Sequence, residues 1–274
     1  MSALLETFGL SVTYGAMTAN DSIDLKVDEG ALVGLIGPNG AGKTTFIDAI
    51  TGFTPTSAGR VMFDGKEINQ YAPVERTRAG LTRTFQSLEL FEDLTVADNL
   101  MAAAEQPKWW SVFADIVSPR RKNANTEQVE WAMDILGISE LRDSLPSDLS
   151  HGQRKLVSVA RALAAKPKLV LLDEPAAGLD TAESQVLGSH LRDFLGNGMS
   201  VFLIDHDMGL VLNVCDYIYV LDFGRIIAHG TPSEVRANPA VISAYLGESA
   251  GEMQAESGAA VAGLTATNEQ GERA

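Results

Sequence analysis

The octapeptide GPNGAGKT, Gly37 to Thr44, constrains this chain more than any other stretch. It follows the apolar run ALVGLI at 31–36 and precedes the helix-like run FIDAITG. Two glycines with four residues between them, then Lys and Thr, form the pattern of a phosphate-binding loop. The glycines let the backbone curl so that successive amide N–H groups point inward, and the following helix adds the positive end of its dipole. Pro38, Asn39, Gly40 and Ala41 fill the loop between Gly37 and Gly42. Lys43 supplies a mobile positive charge for the β and γ phosphates, Thr44 a hydroxyl for Mg²⁺, and Thr45 a reach to the α phosphate.

A strand, a phosphate loop and a helix in that order place the chain in the α/β class. LVLL (169–172) and VFLI (201–204) resemble ALVGLI in lacking polar alternation, as expected of parallel strands covered on both faces. YIYVL (217–221) is a fourth strand-length run. RVMFDGKEI, with Asp64 and Gly65 at its centre, and YIYVLDFGRIIAHG, with Gly224, read as hairpins, so an antiparallel portion accompanies the parallel sheet. Between about 87 and 165 the pattern turns helical: Val129, Ala132, Met133 and Leu136 share one face, with Asn125 as an N-cap and Gly137 as a stop. The domain is expected to cover 1–247. Residues 248–274 carry five Glu against one Arg and no aromatic, which predicts a disordered acidic tail.

Lys plus Arg is 21 against 36 for Asp plus Glu, a net charge of −15, which disfavours nucleic acid as a partner. The longest apolar runs are strand-sized, well short of the roughly 18 to 20 residues that cross a bilayer. A single cysteine, Cys215, and a start without export features point to the cytosol and to a buried, inert thiol. His190 and His229, with no constellation around them, read as surface or turn residues.

A triphosphate site also needs a metal ligand and a group that positions water. LVLLDE ends a buried strand with Asp173 and Glu174, at the carboxyl edge where ligands of open α/β sheets sit. Asp173 suits the Mg²⁺ sphere, and Glu174 suits an attacking water.

With LSHGQ at 149–153, the sequence resembles the ATP-binding cassette (ABC) ATPases, and the remaining motifs fall in family order. The resemblance implies a P-loop NTPase fold with a helical subdomain. It implies that Tyr14 stacks on adenine, that Gln86 in RTFQ contacts Mg²⁺ or water and hinges the site to a membrane partner, and that His206 in LIDHD contacts the γ phosphate or the attacking water. Asp180 in AAGLD matches the D-loop, and Glu174 the catalytic base. Two such subunits, identical or paralogous, would pack head to tail with ATP between them, so that Ser150, Gly152 and Gln153 of one complete the site of the other. His151 replaces the glycine of the commonest signature, which implies altered local packing.

RTRAGLTRTFQSLELFEDLTVADNL and AVISAYLG are similar to the branched-chain amino acid importer ATPases, the LivG-like group. That resemblance implies a peripheral subunit on the cytoplasmic face of the membrane. Its companions would be transmembrane permease subunits and, indirectly, an extracellular or periplasmic solute-binding protein. Urea or amide importers share near relatives of these motifs, and a soluble cofactor-assembly scaffold is the competing class. The stretch KWWSVFADIVSPRRK, with Trp109, Trp110 and Phe113, reads either as an insert packed on the helical portion or as a membrane-facing or partner-facing amphipathic segment.

Overall fold

The computed structural model describes residues 2–84, 90–104 and 119–245, and for 119–124 the backbone alone. Gln86, the Trp109, Trp110 and Phe113 stretch and the acidic tail lie outside the described residues.

Burial alternates along β1 (Ala3–Tyr14) and β2 (Met17–Asp28), as it must for antiparallel strands with one face on a core. β3 (Leu32–Ile36) is buried at every position and runs through the phosphate loop into α1 (Lys43–Thr51). The hairpin of β4 (Ala58–Phe63) and β5 (Lys66–Glu67) follows, then α2 (Pro73–Ala79) and the short β6 (Leu81–Arg83). Among the described residues the helices α3 (Val96–Ala104), α4 (Pro119–Ile135) and α5 (His151–Ala164) come next. The chain then alternates through β7 (Leu169–Asp173), α6 (Thr181–Gly196), β8 (Ser200–Ile204) and α7 (Met208–Val214). It closes with the hairpin of β9 (Tyr217–Asp222) and β10 (Arg225–Gly230), then α8 (Pro232–Ala237).

Among the described residues there are two sheets, an antiparallel one ordered β2-β1-β4-β5 and a larger one ordered β10-β9-β3-β8-β7-β6. In the larger sheet β9, β3, β8, β7 and β6 run parallel, and β10 is an antiparallel edge. Both expected hairpins are present. The second one belongs to the main sheet, through the parallel pairing of β9 with β3.

The period of two that the sequence hides is visible inside. Val33, Leu35, Leu171, Phe202 and Ile204 face α1 and the antiparallel sheet, where Phe46, Ile50, Leu5 and Phe63 pack. Ile36, Val170, Leu172, Val201 and Leu203 face the other way, toward Leu163, Leu191, Phe194 and Met133 of the helices. With apolar neighbours on both sides, neither face needs polar residues.

Asn125 does not cap a helix, because α4 already starts at Pro119 and carries it in its interior. Gly137 does stop that helix, two residues beyond its end at φ 63. Cys215 is buried, and burial pushes its thiol far up, so it remains protonated. His190 lies within α6 and His229 on the surface of β10, so neither is a turn residue; His229 Nδ1 is 2.6 Å from the Tyr217 hydroxyl.

Candidate nucleotide site

Because β3, β8 and β7 are parallel neighbours, their carboxyl ends deliver three segments to one sheet edge. Gly37 begins the phosphate loop after β3, Asp173 ends β7 with Glu174 next, and Asp205 and His206 follow β8. The loop is held from outside as well as by its own turns. The Gly224 N–H donates to Ala41 O at 2.9 Å, and Asn20 Nδ2 donates to Gly42 O at 3.1 Å. Gly37 (φ 157) and Gly42 (φ 102) lie where L side chains are strained. A Cβ on Gly37 would sit 2.0 Å from Leu221 O, and one on Gly42 2.6 Å from Ala19 O. Lys43 is buried, with Nζ donating to the loop carbonyls of Gly37 (2.5 Å) and Pro38 (3.0 Å). Thr44 is exposed and Thr45 half-buried at the head of α1.

Asp173 is gripped by a residue that sequence reading passed over. Arg83, at the end of β6, donates to Asp173 Oδ2 at 2.7 Å and to Asp48 Oδ1 of α1 at 2.5 Å. This largely buried guanidinium fastens the metal-ligand candidate to the phosphate-loop helix. Arg76, also buried, donates to Ala49 O and Ile50 O at 2.8 Å each, satisfying carbonyls at the C-terminus of that helix.

Glu174 adopts φ 48, a region that a residue with a side chain occupies only when its surroundings enforce it. Its N–H donates to Ile204 O at 2.7 Å, and its carbonyl accepts from Ala177 N at 3.2 Å and from Lys155 Nζ at 3.1 Å. His206 is exposed, with Nδ1 3.8 Å from Glu174 Oε2 and 3.6 Å from Asp205 Oδ1. Asp205 is fully buried and accepts from Ala176 N at 3.1 Å and Asp207 N at 3.0 Å. Burial holds its carboxyl above the usual range, against the pull of those two amides and of His206.

Ser150 is the N-cap of α5: its Oγ accepts from Gln153 N at 3.2 Å, and Gln153 Oε1 accepts from Ser150 N at 2.9 Å. Asp180 caps α6 in the same reciprocal way with Glu183, at 2.8 and 3.1 Å. The two caps are neighbours. A Cβ on Gly152 would lie 2.6 Å from Glu183 Oε1, and one on Gly178 would lie 3.1 Å from His151 Nε2. His151 therefore packs its ring beside the AAGLD turn. Tyr14, at the end of β1, is exposed, its hydroxyl 3.4 Å from that of Thr54.

Comparison with known proteins agrees with this architecture. A family model described as ABC transporter matches residues 20–177, and one described as branched-chain amino acid ATP-binding cassette transporter matches 225–251. The chain is 36% identical over 250 residues to the high-affinity branched-chain amino acid transport ATP-binding protein BraF of Pseudomonas aeruginosa, covering 89% of this chain and 98% of that protein. It is 37% identical over 249 residues to the lipopolysaccharide export system ATP-binding protein LptB of Escherichia coli, covering 90% and 98%. The ADP conformation of MJ1267, an ATP-binding cassette of an ABC transporter, matches with a TM-score of 0.80 at 32% identity, over 90% of this chain and 100% of that one. Among the described residues no helix is long and apolar enough to cross a membrane.

Proposed function

The chain belongs to the ABC transporter ATPase family, and on that premise we propose that it is the ATP-hydrolysing subunit of a branched-chain amino acid importer. The observation that carries the ATPase reading is the convergence of phosphate loop, Glu174 and His206 on one edge of the parallel sheet. The solute class is supported by the match of residues 225–251 and by the name of BraF; LptB, equally similar in sequence, serves an export system, so overall identity does not choose between them.

In this reading Gly37 and Pro38 open the loop, and the backbone N–H groups of Asn39, Gly40, Ala41, Gly42, Lys43, Thr44 and Thr45 cradle the phosphates of ATP. Lys43 exchanges the carbonyls of Gly37 and Pro38 for β and γ phosphate oxygens, and Tyr14 stacks on adenine. The Thr44 hydroxyl and the Asp173 carboxylate are hard oxygen donors of the kind Mg²⁺ takes, and they would hold it; Gln86 is assigned to the same ion by its motif. Bound there, Mg²⁺ would neutralise charge on the phosphates. Glu174 orients the attacking water and takes its proton, while His206 holds the water or a γ-phosphate oxygen by hydrogen bond.

Ser150, Gly152, Gln153 and Asp180 all sit at or beside exposed helix N-termini rather than at their own chain's phosphate loop. They fit a head-to-tail pair in which each chain completes the site of the other. ATP then joins the two, and hydrolysis releases them. The pair would work on permease subunits at the cytoplasmic face, with a solute-binding protein on the far side.

Glu174→Gln tests the chemistry. The variant is expected to bind ATP, to turn over slower by about 10² to 10⁴, and to accumulate as a closed pair in sedimentation. Near-normal turnover would remove Glu174 from the base role. Purification from native membranes tests the assignment to transport: a multi-spanning permease should accompany the chain, and cytosolic assembly proteins in its place would favour a scaffold.

A further inference from the structure

α5 shows two characters within two turns. Its first turn, with Ser150 and Gln153, is the exposed cap described above, whereas Lys155 is buried, at 7% exposure. A buried ammonium is costly to desolvate, and a methionine would fill its volume without that cost. What Lys155 reaches explains its presence. Its Nζ donates to the main-chain carbonyl of Glu174 at 3.1 Å; burial holds the ammonium's pKa below its ordinary value, and the carboxylates of Asp205 and Glu174 oppose that shift.

The geometry at Glu174 makes that hydrogen bond consequential. At φ 48 the residue is strained, and contacts on either side of it keep it there: Glu174 N to Ile204 O, and Ala177 N together with Lys155 Nζ to Glu174 O. The first comes from β8, the second from the turn after β7, and the third from the helix that begins with Ser150. An α-helix rises about 1.5 Å per residue, so the cap and Lys155 are about 7 to 8 Å apart along one rigid element.

We propose that Lys155 is the positioning residue for Glu174, and that through α5 it reports to each chain's own Glu174 whether the nucleotide capped by that helix is present. This rests on the head-to-tail reading given above. A γ phosphate drawn onto the Ser150 end pulls α5 toward the paired chain's loop. A shift of a fraction of an ångström at Lys155 then tightens or loosens its hydrogen bond to Glu174 O, and with it the backbone that aims the base. Each base is thereby set by the nucleotide in the other site, and the two sites fire in concert.

The test uses the full-length chain with its membrane subunits and compares Lys155→Met, which keeps bulk and loses donor and charge, with Lys155→Arg, which keeps both. Turnover is followed against ATP concentration, and ATP affinity is measured separately. Lys155→Met is expected to lower kcat about tenfold while KM and the ATP dissociation constant move less than about twofold, the pattern of a lost transition-state contact. Its Hill coefficient should fall toward one, and Lys155→Arg should restore most of both. Unchanged kcat, or a loss of kcat and ATP affinity in parallel with no recovery in Lys155→Arg, overturns the proposal. So does a wild-type Hill coefficient of one. Should Lys155→Met fail to fold, Lys155→Gln, shorter and uncharged, is read by the same criteria. Glu174→Gln in the same assay separates the two levels, because normal turnover there defeats the base assignment whatever Lys155 does.

Discussion

The phosphate loop and the signature turn both offer backbone amides at a helix N-terminus, yet they are built in opposite ways. The loop is a finished object. Leu221 O closes on Gly37, Gly224 and Asn20 bond the carbonyls of Ala41 and Gly42, and Lys43 is folded against the carbonyls of Gly37 and Pro38. The signature turn, by contrast, is exposed and bonded to itself, Ser150 to Gln153 and back. One chain suffices to fix the first geometry, because β9 with its following turn and β2 of the antiparallel sheet pin it. The second has spare surface and a replaceable partner, as expected of a half-site that meets its ligand only when another body arrives.

The largest predicted effect comes from one substitution placed twice in the same loop. Gly37→Ala puts a methyl 2.0 Å from Leu221 O, so β9 or the loop must move. A loss of about 3 kcal/mol or more in denaturant unfolding, together with loss of ATP binding, is expected. Gly40→Ala faces open space at φ 79, leaving only the backbone penalty of about 1 to 2 kcal/mol. Equal losses at the two positions would mean that the loop is not clamped from β9, and the contrast with the signature turn would weaken.

Next in size is Ser150→Ala. Removing a Ser N-cap costs about 1 kcal/mol of stability, and in an exposed turn nothing adds to it. Turnover should fall much further than that figure implies, because the hydroxyl is proposed to serve a nucleotide held by another chain. Urea unfolding paired with an ATPase assay separates the two. A stability loss as large as that of Gly37→Ala would show that the signature turn is as finished as the loop.

This division also marks how far the sequence could be read. Strands β3, β7 and β8 are legible as uniform apolar runs because both faces of their sheet are covered, and the loop and the LSHGQ cap are legible because their residues are adjacent in sequence. Arg83 and Asp173 are 90 residues apart, and no local pattern announces their pairing. Lys155 reads as one more polar residue on an amphipathic helix, since its carbonyl partner becomes a neighbour only once β7 packs on α5. Asp205 looks like any acid after a strand, and only the fold shows it to be sealed from solvent. The alternation of β1 and β2 is blurred by register shifts and by buried polar residues such as Thr7 and Asn20, so neither strand stood out.

The smallest effect supplies the control. α8 begins with a reciprocal cap of the same design, Thr231 with Glu234, but the structure places no nucleotide-site candidate on it. Thr231→Ala should weaken the fold slightly and leave kcat and KM for ATP unchanged, whereas Ser150→Ala should change turnover. The two caps also differ in pH response. The N–H and hydroxyl of Thr231 hold the Glu234 carboxyl below its ordinary range. A carboxyl whose folded value is depressed stabilises the fold above its unfolded value and loses that contribution as pH falls through the folded one. The stability gap between wild type and Thr231→Ala, measured by urea unfolding, should therefore narrow from neutral to acid pH. Across the same range the gap for Ser150→Ala should hold steady, because Gln153 carries no proton to exchange. A gap at Ser150 that closed with acid in the same way would mean that a carboxylate, with Glu183 beside Gly152 the nearest candidate, takes part in the signature cap.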